Sequence, residues 1–242
     1  MSLSQQQKSE ERRNRFMKNL SKAVSQADPT GKRAASVEQL ETVREISPYQ
    51  PDVLSKDVCH ERLKEFLKAQ NTELYDLANA EQIPQKLSEV LAAKNYGTEI
   101  MIGENPFIQS LNWQLAPELK LVINKGQKVS DLNLAMTHAF AAAAETGTLF
   151  FTSGPENPTP LNYLPTCHIA LLDAQTILQT YEQAYQFGEE ISVEKQGVSN
   201  EPLFPKRSLN LISGPSRTAD IEQTLTLGAH GPLELVVLIY NV

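Results

Sequence analysis

The chain is short of several things. It has two cysteines and one tryptophan in 242 residues, and 22 Lys plus Arg against 29 Asp plus Glu. Two cysteines are too few for a disulfide scaffold, and an iron–sulfur cluster usually takes four thiolates. A net charge of −7 and a pI near 5.2 are a poor footprint for non-specific nucleic-acid binding. The apolar runs fall far short of the roughly 20 residues of a membrane-spanning helix. The opening stretch, MSLSQQQKSEERRNRF, has no apolar run of the secretory kind. Walker, G-x-G-x-x-G, G-x-S-x-G and H-E-x-x-H patterns are all missing. The expectation is a soluble, cytoplasmic globular protein with no redox centre of its own.

Charge is unevenly spread. Residues 1–70 hold 13 Lys/Arg and 10 Asp/Glu, a balance of +3, whereas residues 71–242 hold 9 and 19, a balance of −10. Phe16, Leu20 and Val24 recur every four residues, so 4–26 reads as a helix, ended by Asp28-Pro29-Thr30-Gly31. Residues 1–45 are therefore set apart as a helical extension, and 46–56, with two X-Pro steps, as a linker.

From there helix-like and strand-like runs alternate. Helices are expected over 60–70, Pro84–Lys94, 130–144, Ala174–Phe187 and Ala219–Leu227. Strands are expected at Glu73–Leu77, Glu99–Ile102, Leu119–Ile123, Thr148–Thr152, His168–Leu172, Leu209–Ser213 and Leu233–Tyr240. Short, near-continuous apolar strands separated by helices predict an α/β fold with a mostly parallel sheet flanked by helices. Residues 188–207, polar and punctuated by Pro and Gly, read as a long loop or flap.

Three segments carry candidate chemistry. In the first, Glu145-Thr146-Gly147-Thr148, an Ala-rich run enters a polar turn. Glu145 is the only carboxylate between Asp131 and Glu156. Desolvation would suit it to act as nucleophile or general acid/base. Alternatively, it binds neighbouring N–H groups and shapes the turn. Thr146, Gly147 and Thr148 offer hydroxyls and a close backbone approach to a ligand.

The second segment is Ser213-Gly214-Pro215-Ser216-Arg217-Thr218, followed by Asp220. Read as strand, loop and helix start, it has the form of an anion site. In that reading Arg217 grips a carboxylate or phosphate by two parallel hydrogen bonds. The alternative is a plain helix cap by Ser216 or Thr218, with Asp220 and Glu222 favouring the helix dipole. The third is His230, held between Ala229 and Gly231 in a closing turn and open to a ligand role. The pairs Cys59-His60 and Cys167-His168 invite zinc, but adjacent residues do not have zinc-ligand spacing.

The string SLNLISGPSRTADIEQTLTLGAHGPLEL at 208–235 resembles the C-terminal signature of the LUD-domain lactate utilisation protein C family. AETGTLFFTSG at 144–154 resembles the family's other signature, and Tyr163-Leu164-Pro165 through His168-Ile169-Ala170 its loop before a strand. The likeness spans roughly residues 60–242, and it makes 46–242 the LUD domain. One departure stands out: Phe140 occupies a place where the family often has an acid.

The resemblance implies a Rossmann-like fold of the sugar-phosphate isomerase and coenzyme-A transferase superfamily. It implies a non-cluster subunit in the oxidation of L-lactate to pyruvate, working with operon partners that carry iron–sulfur and cysteine-rich domains. A small carboxylate or other anionic ligand would then sit between the two signatures. Two other functions stay open. One is a stand-alone coenzyme-A-transferase-like or sugar-phosphate-type enzyme using Glu145. The other is a non-catalytic assembly or regulatory subunit.

Overall fold

The computed structural model describes residues 52–124, 133–195, 208–219, 225–227 and 231–241. The chain divides into two units, residues 1–52 and Val53–Val242, and the first lies outside the described residues except for Asp52. The helix expected over 4–26 is thus outside them too.

Ser55 caps helix α1 (Lys56–Ala69) by accepting the Val58 N–H. Asn71, with φ of 61°, turns the chain into strand β1 (Glu73–Leu77). The next elements are α2 (Ile83–Ala93), β2 (Glu99–Ile102), α3 (Pro106–Ser110), β3 (Lys120–Ile123) and β4 (Leu134–Ala139). They are followed by β5 (Ala141–Ala143), β6 (Thr148–Thr152), α4 (Pro160–Tyr163), β7 (Cys167–Asp173) and β8 (Ile177–Leu178). The chain closes with α5 (Tyr181–Lys195), β9 (Leu209–Ile212), β10 (Arg217–Ala219), β11 (Leu225–Leu227) and β12 (Glu234–Tyr240).

Six strands form one parallel sheet in the order β1-β12-β7-β4-β2-β3. Alternate residues feed two cores, as the period of two in a strand requires. Leu134, Met136, Ile169, Leu171, Val236 and Leu238 pack against Ile83, Leu87 and Leu91 of α2 on one face. Ala139, Ala170, Leu172, Leu235, Val237 and Ile239 pack on the other against Leu63 and Leu67 of α1. This is the α/β arrangement with a buried parallel sheet read from the sequence.

The second face is also covered by something the sequence did not announce. Strands β8-β5-β6-β9 make a four-stranded mixed sheet, whose Leu149 and Phe151 join the α1 core. Helix α5 lies outside it, on Ala141, Ala143 and Phe150. The Ala-rich stretch expected to be helical is the hinge of this construction. Leu134–Ala139 and Ala141–Ala143 are strands of the two sheets, joined at Phe140. Alanine's helix preference loses because both sides of β5 must be thin: Ala142 and Ala144 face α1, while Ala141 and Ala143 face α5.

Two more helices are corrected. Residues 174–180 form a short 3-10 turn and strand β8 before α5 begins at Tyr181, because Ile177 and Leu178 pair with Ala142 and Ala143. Residues 188–195 of the expected flap belong to α5, and 196–207 lie outside the described residues. In place of a helix over Ala219–Leu227, Arg217–Ala219 and Leu225–Leu227 pair as antiparallel strands, and 220–224 lie outside the described residues. The sequence TLTL favours extended backbone.

Candidate functional site

The two signature segments meet, but around the carboxyl end of α1. Thr146 Oγ1, Thr148 Oγ1 and Ser213 Oγ form a chain of hydroxyls at 2.8 Å each. Gly147, with φ of 63°, brings its turn against Phe66, and Gly214, with φ of 147°, lies where a Cβ would be 2.7 Å from Gln70 Cβ. Arg217 Nη2 donates to the Gln70 carbonyl at 2.8 Å, satisfying one of the carbonyls that a helix end leaves without a partner. Pro215 is half-buried in the turn, and the Ser216 N–H donates to the Pro232 carbonyl at 2.8 Å.

This end of α1 leads into β1, so the assembly sits at the amino edge of the parallel sheet. The negative end of a helix dipole is there, and it is already met by the Arg217 guanidinium. Thr218 lies in β10 opposite Thr226. Asp220 and His230 are outside the described residues.

Glu145 stands apart from that cluster. Its Oε1 accepts the Tyr181 N–H at 2.7 Å, and its own N–H donates to Gln179 O at 3.1 Å. The carboxylate therefore caps α5, where the helix dipole favours a negative charge. The backbone N–H it binds belongs to a distant helix and not to its own turn.

A cavity of about 290 Å³ lies at the other edge of the sheet. From β2 the chain runs outward to β3, and from β4 it runs the opposite way to β7, so the order reverses between β2 and β4. In open α/β sheets that crevice, at the carboxyl ends, is where ligands bind. Asn105 and Phe107 follow β2, His138 lies near the end of β4 and Phe140 just past it, Thr152 ends β6, and Ser153, Glu156 and Asn157 come from the segment after it. Ile191 of α5 completes the wall, so the helix that Glu145 caps also shapes the cavity.

The lining is held in place from behind. Asn105 Oδ1 accepts the Ile108 N–H at 3.1 Å. His138 Nε2 lies 2.9 Å from Tyr240 Oη, and Phe107 stacks on the Tyr240 ring with centroids 5.1 Å apart. Burial, with the Asp173 carboxylate nearby, holds the Tyr240 phenol well above its usual pKa, so it stays protonated. Gly103 lets the 154–158 turn close onto the end of β2: a Cβ there would run into the Glu156 carbonyl, and the Glu104 N–H donates to Pro155 O at 2.8 Å.

Below the cavity, inside the core, Thr137 Oγ1 donates to Asn162 Oδ1 and pairs with His168 Nε2 at 2.7 Å. Complete burial pushes the His168 pKa down to about 3. Sequence reasoning named Phe140 and quoted Thr152, Ser153 and Gly154, yet it did not propose this site. A usable signal was present: Glu-Asn-Pro occurs twice, at 104–106 and 156–158, and both turns line the cavity.

The model of the LUD domain matches residues 60–240. The chain belongs to the LUD-domain family. An uncharacterised protein of Neisseria meningitidis serogroup B is 33% identical over 188 residues, covering 74% of this chain and 76% of that one. The lactate utilization protein C of Anoxybacillus flavithermus is 26% identical over 187 residues, covering 73% and 80%. That of Bacillus licheniformis is 29% identical over 113 residues, covering 47% and 44%. The crystal structure of a DUF162-family protein from Deinococcus radiodurans superposes with a TM-score of 0.53 at 16% identity, over 77% of this chain and 99% of that one. At that identity the likeness concerns the fold alone. In this LUD domain, then, Gly214 and Arg217 of the C-terminal signature close as a clasp on the end of α1, while the segment after β6 reaches the cavity.

Proposed function

We propose that this LUD-domain protein works in lactate utilisation, as a non-cluster subunit of a system that oxidises L-lactate to pyruvate. The observation that carries the reading is the likeness to proteins named lactate utilization protein C, which for one of them extends over 73% of the chain. L-lactate becomes pyruvate by giving up two electrons and two protons. The electrons pass to iron–sulfur clusters in partner proteins. The placement of the cysteines supports that division of labour: Cys59 packs in the core on one face of the parallel sheet and Cys167 in the core on the other. Burial also pushes the Cys167 thiol up to about 12, far from the thiolate a metal needs.

Within this reading the signature residues Thr146, Gly147, Thr148, Ser213, Gly214 and Arg217 serve as framework, and the cavity between β2 and β4 is the ligand site. The test is genetic. A strain lacking the gene should fail to grow on L-lactate as sole carbon source, grow normally on pyruvate, and recover when the gene is returned. Undiminished growth on L-lactate would remove the proposal.

A further inference from the structure

His138 is the one imidazole among the described residues that line the cavity, and its Nε2 lies 2.9 Å from Tyr240 Oη. One of those two atoms donates and the other accepts, and the surroundings decide which. Tyr240 is buried, and burial beside the Asp173 carboxylate keeps its phenol protonated. Among the described residues, Nε2 is the one hydrogen-bond acceptor brought to that hydroxyl. A hydrogen on Nε2 would set donor against donor, or strand the phenol's hydrogen in the core at a cost. Tyr240 Oη is therefore the donor and Nε2 the acceptor. A neutral imidazole whose Nε2 accepts carries its hydrogen on Nδ1.

The fold holds the two rings in that arrangement. His138 lies on β4 opposite Leu171 and Tyr240 on β12 opposite Asp173, so the bond passes over β7, the strand between them. Both partners thus stand on paired strands and not on loops. Phe107 closes the third side: it stacks on Tyr240 at 5.1 Å and 16°, and tilts against His138 at 5.1 Å and 43°. The helix that carries Phe107 is itself capped by Asn105.

We infer that Tyr240 is a positioning residue for the cavity: it holds His138 as the neutral Nδ1–H tautomer and occupies the lone pair with which the ring could take a proton from a ligand. His138 then serves the cavity as a fixed, uncharged part of its wall and not as its base. That consequence rests on the reading of the cavity as the ligand site, whereas the tautomer stands without it.

The experiment reads the two ring nitrogens of His138 by long-range 1H–15N NMR of the full chain at neutral pH, with the signals assigned by their loss in His138→Gln. Nε2 should show the shift of a nitrogen that accepts, and Nδ1 that of a nitrogen that carries hydrogen. Tyr240→Phe, shown to fold by circular dichroism, should lose that pattern, because the hydrogen bond that sets the tautomer is gone. The wild-type spectrum decides alone should Tyr240→Phe fail to fold. A hydrogen on Nε2 in the wild-type protein, an imidazolium with hydrogen on both nitrogens, or an unchanged pattern in a folded Tyr240→Phe protein would overturn the inference. Lactate takes no part in this measurement, so the growth test on L-lactate can fail while the tautomer holds, and the tautomer can fail while growth depends on the chain.

Discussion

Glu145 is the residue on which two accounts of this domain part most clearly. Its carboxylate lies 2.7 Å from the Tyr181 N–H, at the start of a 15-residue helix whose Ile191 reaches the cavity. Removing an N-cap acceptor costs about 1 kcal/mol, and the charge at a helix start contributes about 0.3–1 kcal/mol more. Glu145→Ala should therefore lose about 1–2 kcal/mol, a fall in Tm of about 3–6 °C for a domain of this size. Glu145→Gln keeps an acceptor oxygen and gives up mainly the charge, so it should lose only about 0.5 kcal/mol. Urea unfolding of the three proteins, followed by circular dichroism, measures this directly. If the carboxylate is a cap, Gln restores most of the stability and the lactate-dependent function. An Ala variant as stable as the parent would refute the reasoning. So would a Gln variant that folds fully but has lost all function, which would return Glu145 to chemistry as a nucleophile or acid/base.

The remaining predictions concern the core and the clasp. His168 is fully buried, with a folded pKa of about 3 against an ordinary 6.5. The unfolded chain therefore binds a proton that the folded one refuses. Stability from this group is complete above about pH 6.5 and falls by about 1.4 kcal/mol per unit as pH drops toward 3. A folded His168→Gln variant should lack that portion of the slope in urea titrations between about pH 6 and 4, and an unchanged slope would count against it. Gly214→Ala combines a left-handed φ with a Cβ 2.7 Å from Gln70 Cβ. It should cost about 1–3 kcal/mol by thermal unfolding, and a neutral result would mean that the clasp on α1 is loose. Thr148→Val breaks the hydroxyl chain to Ser213 and should cost about 1 kcal/mol, with less than additive loss when combined with Ser213→Ala. Full additivity would show that the two hydroxyls are not coupled.

Much of the parallel sheet was legible in the sequence. Glu73–Leu77 and Glu99–Ile102 of the parallel sheet, and Thr148–Thr152 of the four-stranded sheet, are strands with the bounds their apolar runs predict. Those runs are short and bordered by turn residues, which is the pattern of strands that alternate with helices. The elements that were misread owe their structure to distant partners. Ala141–Ala143 has helix-forming composition and becomes a strand because β6 and β8 flank it. The polar stretch around Ala219–Leu227 has capping residues at its start, and pairing of Arg217–Ala219 with Leu225–Leu227 makes those ends strands.

The candidate sites divide the same way. Sequence pattern marked Thr146 and Thr148 in one segment and Ser213 and Arg217 in another as small polar residues around a glycine; in the structure the Thr148 and Ser213 hydroxyls meet, and Arg217 reaches Gln70. It could not say that the object approached is α1. The cavity draws on residues 105 to 191, and only the reversal of strand order between β2 and β4 places them side by side.

The central claim is that the chain is needed for lactate oxidation while its partners carry the electrons. The most direct measurement is pyruvate formation from L-lactate by the purified iron–sulfur partner proteins, with an artificial electron acceptor, in the presence and absence of this chain. The account predicts pyruvate formation that depends on adding the chain and saturates at a fixed ratio to the partners. Pyruvate formed at the same rate without it would contradict the claim.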